Sequence, residues 1–170
     1  LGVSIIHQIY FLQTGPFLSS IGIKDSAIGP AMTIGQFAEI ATMAYLGYFL
    51  KRLGFKKVIT IGIMAYFARY VIFGTSFLPV WVMVISQAFH GFCFAAGFIY
   101  VDKLADDDVR HSAQTVFGII IFGGGPVMGG WLSGKLQEIN TVAGVFDYSN
   151  FWYTLAGIGL VTGILFLSFF

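Results

Sequence analysis

Gln36 and Glu39 stand three residues apart in the apolar stretch IGQFAEIA, so on a helix both side chains share one face. An amide beside a carboxylate can bind the hydroxyls and ring nitrogens of a small polar solute. A carboxylate withdrawn from water can also carry a proton. The other reading is an interhelical hydrogen-bond pair that only holds helices together. His7, Gln8 and Gln13 form a second polar set near the N-terminus, and His90 follows Gln87 by one turn in a third segment. A neutral imidazole such as His7 or His90 is satisfied by a single neighbour, so each fits either a site or a core. Arg69 lies in a fourth apolar segment. It can pair with Glu39 or snorkel to an interface, and a structural role is favoured. Tyr10, Phe11, Phe92 and Phe94 can stack on a planar ring, against a background of 19 Phe in 170 residues that mostly meet lipid or core.

These groups need elements to hold them, and the composition says which. The chain is 57% hydrophobic and 10% charged, with a mean hydropathy of +0.84, against about 25% charged in ordinary soluble domains. Disorder is excluded on that ground, and a soluble globular domain is disfavoured. A net charge of +1 without a basic stripe speaks against nucleic acid as a partner. Cys93 is the single cysteine, so no intrachain disulfide or cysteine cage for zinc can form. The expected class is an all-α, polytopic transmembrane bundle of six helices. The spans are expected at about 1–20, 28–50, 58–73, 80–101, 113–132 and 151–170. Long alternating strands are missing, which disfavours an outer-membrane barrel. At membrane depth an ionisable group costs about 2.5–3.5 kcal/mol on insertion scales, so Glu39, at the centre of its span, reads as functional.

Orientation follows from Lys and Arg. Lys51, Arg52, Lys56 and Lys57 fill one loop and Lys103 and Arg110 another, against Lys24 and Lys135 on the opposite side. Six against two places loops 51–57 and 102–112 in the cytoplasm of a cell (inner) membrane protein. Trp81, Trp131 and Trp152 fall near span ends, as interfacial anchors do. The fifth span reads GIIIFGGGPVMGGWLSG (118–134), with Gly125–Gly129 and Gly130–Gly134 each spaced as GxxxG around Pro126. Close helix packing with a bend is the plain expectation, and a helix that deforms as a gate opens is the sharper one. A phosphate-cradling loop is excluded, because no strand precedes the glycines and no GK[ST] follows. The chain opens on Leu1 and closes on FLSFF, and is expected to be a piece of a longer protein.

The basic turn GYFLKRLGFKK (47–57) is similar to a loop signature of the major facilitator superfamily, with Lys51 where an acid usually stands. It is expected to hold neighbouring helix ends against Asp102 or the 106–108 acidic cluster. Along the whole chain PFLSSIG, IGQFAEI (34–40), RLGFKK, YFARYVIF (66–73), HGFCF (90–94), FIYVDK (98–103), VRHSAQ (109–114) and WLSGK (131–135) resemble the C-terminal half, helices 7 to 12, of nucleoside:proton symporters of that superfamily. The resemblance implies two six-helix halves, the N-terminal one absent here, with the substrate between them. It implies that Gln8, Gln36 and Glu39 contact nucleoside, that Phe94 packs on the base, and that His90 fills a position held by histidine or tyrosine. Ala95 stands where some members carry a coupling aspartate, and the stretch from Phe94 to Tyr100 is about one helical turn short. Glu39 is therefore the expected proton-coupling residue. Arg69, Asp102, Arg110, Lys51 and Arg52 are expected in structural or gating roles.

The expected activity is secondary transport of nucleosides by alternating access, coupled to protons. Its partners are nucleoside, proton, lipid bilayer and the missing half. No cofactor or metal is expected. The alternative substrate is a sugar or another small polar solute. An intramembrane enzyme is disfavoured, since no nucleophile, base and orienter stand together. A non-transporting scaffold would leave solute flux indifferent to Glu39.

Overall fold

The computed structural model describes residues 1–75, 78–86 and 92–170, with the side chains of 92–94 outside the description. Helix α1 (Gly2–Ser20) is followed by α2 (Asp25–Gly74), α3 (Val80–Ser86), α4 (Phe92–Leu104) and α5 (Arg110–Gly118). A π-helical turn (Ile119–Gly124) joins α5 directly to α6 (Gly125–Ile139). A short hairpin, β1 (Thr141–Val142) and β2 (Val145–Phe146), leads into α7 (Tyr148–Phe169).

Helix α2 has 50 residues, which as one straight rod would be about 75 Å long, more than twice the hydrocarbon core. It folds back at Gly54, whose φ of 77° and ψ of 167° lie in a region open essentially to glycine. The two arms, 25–53 and 55–74, thus supply two spans, and Lys51, Arg52, Lys56 and Lys57 crowd the turn between them. At the far end, Asp147 caps α7 by accepting the Asn150 N–H at 3.0 Å. The hairpin turns through Ala143 and Gly144, with φ of 51° and 80°. Two successive positive φ values are the signature of the tight turn that suits strand twist.

The apolar–polar arrangement is that of a protein dissolved in lipid. Phe37, Phe122, Val127, Trp131 and Phe169 are exposed, while Ser4, Gln13, Thr14, Arg69, Ser86 and Ser133 are buried. The core lies where α1, the second arm of α2 and α7 meet, around Phe17, Tyr70, Phe73 and Trp152. α2 and the 110–139 rod and α7 are each long and apolar enough to cross a membrane. Two ends are distinguishable by contact. Phe55, Tyr100 and Phe170 meet in series, ring tilted against ring, at one end. At the other, Ser149 donates to the Gly74 carbonyl at 2.5 Å and Phe17 meets Tyr148.

One expectation is corrected here. Trp152 is not an interfacial anchor: it is 0% exposed, stacked on Tyr70 and edge-on to Phe73 and Phe151. Its neighbours supply more apolar surface than the headgroup region offers. Trp81 and Trp131 do face outward.

Candidate substrate-cavity helices and their seams

Helix α1 carries Ser4, His7, Gln8 and Gln13, and two seams hold it. The first joins α1 to α6. Gly125 and Gly129, the first GxxxG pair, lie against Ser4 and Gln8. A Cβ on Gly129 would stand 2.8 Å from the Gln8 Cβ and 2.9 Å from the Ile5 carbonyl oxygen. Backbones approach this closely only where side chains are missing. The seam continues to Gln13, whose amide donates to the Ser133 hydroxyl at 2.9 Å and to Gln137 Oε1 at 3.3 Å. Gln13 is thus spent on helix–helix contact. The second GxxxG pair faces open space at both Gly130 and Gly134.

The second seam joins α1 to the second arm of α2. The Tyr70 hydroxyl donates to the Ile6 carbonyl at 2.8 Å, and the Tyr66 hydroxyl lies 2.7 Å from His7 Nδ1. Arg69 is 0% exposed. Its guanidinium carbon sits 3.9 Å from the centre of the Tyr10 ring, 5.0 Å from that of Tyr66 and 5.4 Å from that of Tyr70. Arg69 neither snorkels nor reaches for an interface. Three ring faces give the cation a partial substitute for water, consistent with the structural role expected of it.

Gln8 is half-buried on α1, over Gly129. Gln36 is exposed and Glu39 half-buried on the first arm of α2, one turn apart. Phe94 falls within α4, with its side chain outside the description, and His90 lies outside the described residues altogether. The structure therefore places Gln36 and Glu39 on a single helix and Gln8 on its neighbour in sequence.

At the end marked by the Gly54 turn, Asp102 and Arg110 come together. Arg110 Nε is 3.8 Å from Asp102 and its Nη2 is 2.6 Å from Asp107. Gln114 donates to the Phe98 carbonyl at 3.0 Å and reaches Asp102 at 3.4 Å, tying α4 to α5. Asp102 thus meets Arg110 and Gln114. Arg52 lies over its own helix neighbour Tyr48, at 5.1 Å, and Lys51 is exposed. Lys103 lies 5.1 Å from the Phe55 ring centre and carries the contact between this turn and α4.

The model of the nucleoside H+ symporter family matches residues 1–170. The chain belongs to the nucleoside:proton symporter family. It is 32% identical over 177 residues to the nucleoside permease NupG of Escherichia coli, covering 99% of this chain and 41% of the permease. Against the xanthosine permease of the same organism it is 28% identical over 166 residues, covering 92% of this chain and 38% of that protein. Among solved structures it matches the crystal structure of the nucleoside transporter NupG, in an Asp-to-Ala mutant, with a TM-score of 0.84 at 28% identity. That match covers 98% of this chain and 46% of the other. This chain thus spans less than half the length of these relatives, and its bundle is half of a major facilitator fold. Those relatives are permeases and transporters rather than enzymes, and this chain is a membrane protein.

Several residues that organise this bundle escaped sequence reasoning. Tyr66 and Tyr70 flank Arg69 at i−3 and i+1, and that pattern around a lone intramembrane arginine was the available signal. Ser4 gave none, since an isolated serine in an apolar helix is ordinary.

Proposed function

We propose that this chain forms one half, the C-terminal one, of a transporter that takes up nucleosides with protons by alternating access. The observation that carries the reading is family membership across all 170 residues. The residues fit it. Gln8 on α1 and Gln36 and Glu39 on α2 supply amide and carboxylate groups suited to ribose hydroxyls and base edges. Phe94 on α4 offers a ring for the base, and His90, just before α4, is a further polar contact. The other half of the molecule supplies the opposite wall, and rocking of the halves exposes the substrate to each side in turn.

Glu39 is the proton-coupling residue in this reading. It is half-buried on a membrane-spanning arm, and Ala95 occupies the place where some members hold an acid. Asp102 with Arg110, and the Lys51–Arg52 turn, brace the helix ends that must move together. The protein sits in the cell (inner) membrane with 51–57 and 102–112 on the cytoplasmic side.

Uptake of labelled uridine and adenosine by the full-length protein, in cells lacking their own nucleoside uptake, tests this. Native uptake is expected to rise at acidic external pH, with excess sugar failing to compete. Glu39→Gln is expected to abolish the pH dependence and most of the flux. PH-independent uptake that survives Glu39→Gln would move coupling to another residue, and absence of nucleoside uptake by inserted protein would overturn the substrate.

A further inference from the structure

The 110–139 rod widens into its π-helical turn at one place, just before Pro126. Proline has no N–H, and its ring would press on the carbonyl four residues back, that of Phe122, in a regular α-helix. A π turn relieves that clash by inserting a wider loop of backbone. The Gly125 N–H is shifted accordingly and bonds the Ile120 carbonyl, five residues back. The Ile121 carbonyl loses its regular donor by this shift, for Gly125 was that donor. Its alternative donor in the wide register is residue 126, which is Pro126 and has none. The Ser4 hydroxyl donates to this carbonyl across the seam. Ser4 is 3% exposed and reaches the carbonyl because Gly125 has no side chain: a Cβ there would overlap the serine oxygen. One turn further along α1, Gln8 rests on Gly129.

We infer that Ser4 is a positioning residue for the substrate-contacting Gln8. By capping the Ile121 carbonyl, it latches α1 to the π turn and fixes the height and rotation at which Gln8 projects. The inference rests on the assignment of Gln8 to the substrate made above. The wide turn, the proline, the glycine and the serine form one device. The π turn is thereby locked to α1, so a change in the rod's register must release Ser4 and move Gln8.

The test is a cycle of Ser4→Ala, Pro126→Ala and the double variant in the full-length transporter. Nucleoside uptake and hydrogen exchange over residues 118–130 in lipid nanodiscs are read together. Ser4→Ala strands a buried carbonyl, so exchange is expected to rise and the KM for nucleoside to rise about fivefold to tenfold, with surface abundance and maximal rate little changed. Pro126→Ala restores an N–H next to that carbonyl. In the double variant exchange and KM are expected to return toward native values, a non-additivity that a merely structural serine would not produce. Native exchange and native KM in Ser4→Ala would overturn the latch, as would additive defects in the double variant. Gln8→Ala, run in parallel, separates the two readings. An unchanged KM there overturns the assignment of Gln8 to the substrate, whereas loss of exchange protection in Ser4→Ala reports the latch independently of any substrate.

Discussion

A guanidinium in hydrocarbon needs something in place of water, and Arg69 takes the faces of three tyrosines. The Tyr10 face at 3.9 Å is the closest, and it comes from a different helix. The planar, delocalised cation can stack there as a compact ammonium cannot. Arg69→Lys is therefore expected to lower the stability of the purified full-length protein by about 2 kcal/mol, the size of a desolvated cation–π contact. Thermal unfolding in detergent checks it, and an unshifted midpoint would deny the stacking its energetic role. Tyr66→Phe removes the hydroxyl beside His7 and is expected to cost about 1 kcal/mol in the same assay. Sequence alone singled out Arg69, because a charge in an apolar span is conspicuous. It did not single out Tyr66 and Tyr70, because aromatic side chains are abundant in this chain and only folding decides which ones turn toward α1. The same holds for Trp152: its position near a span end was legible, but its inward rotation depends on Tyr70 and Phe73.

At the scale of elements, the fifth span shows how far a motif reaches. Two GxxxG pairs follow one another in the sequence, and one is used. A methyl on Gly125 would collide with Ser4, and one on Gly129 with Gln8 and the Ile5 carbonyl, while Gly130 and Gly134 have nothing within 4 Å. Gly129→Ala is expected to destabilise by about 1–3 kcal/mol, as overpacking does. Gly134→Ala should be neutral or should gain up to about 1 kcal/mol, since alanine holds a helix better than glycine. Comparing the folded, monodisperse fraction of the two variants after solubilisation decides the matter, and equal losses would refute the one-sided seam. The helix pattern and the breaks near Gly54 and Gly74 were legible from apolar runs, basic turns and glycine. Which face of the fifth span meets α1 was not, because both faces carry small residues at the same spacing. The π turn was equally hidden: it arises from the joint demands of Pro126, Gly125 and Ser4, the last more than a hundred residues from the other two in sequence.

At the scale of the whole molecule, the contacts divide the loops between two ends. The Gly54 turn, the Asp102–Arg110 pair and the end of α7 lie together, through Lys103 on Phe55 and Phe55–Tyr100–Phe170. The 141–146 hairpin lies at the opposite end, since α7 runs from Ser149 beside Gly74 down to Phe170 beside Tyr100. Charge breaks the symmetry between these ends. Six Lys and Arg residues gather at the first end, against Lys24 and Lys135 at the second, and in the proposed topology the richer end is the cytoplasmic one. A single cysteine introduced at Asp108, in a background with Cys93 replaced, is therefore expected to react with a membrane-impermeant maleimide only in inverted vesicles. A cysteine at Gly144 would test the opposite end but also disturb a glycine at positive φ, so Val142, exposed on β1, is the better site. It should label in intact cells and be protected in inverted vesicles. The reverse pattern would invert the topology. Glu39 would keep its depth in that case, but the Asp102–Arg110 end would face outward, and proton-driven uptake would have to enter by the opposite door.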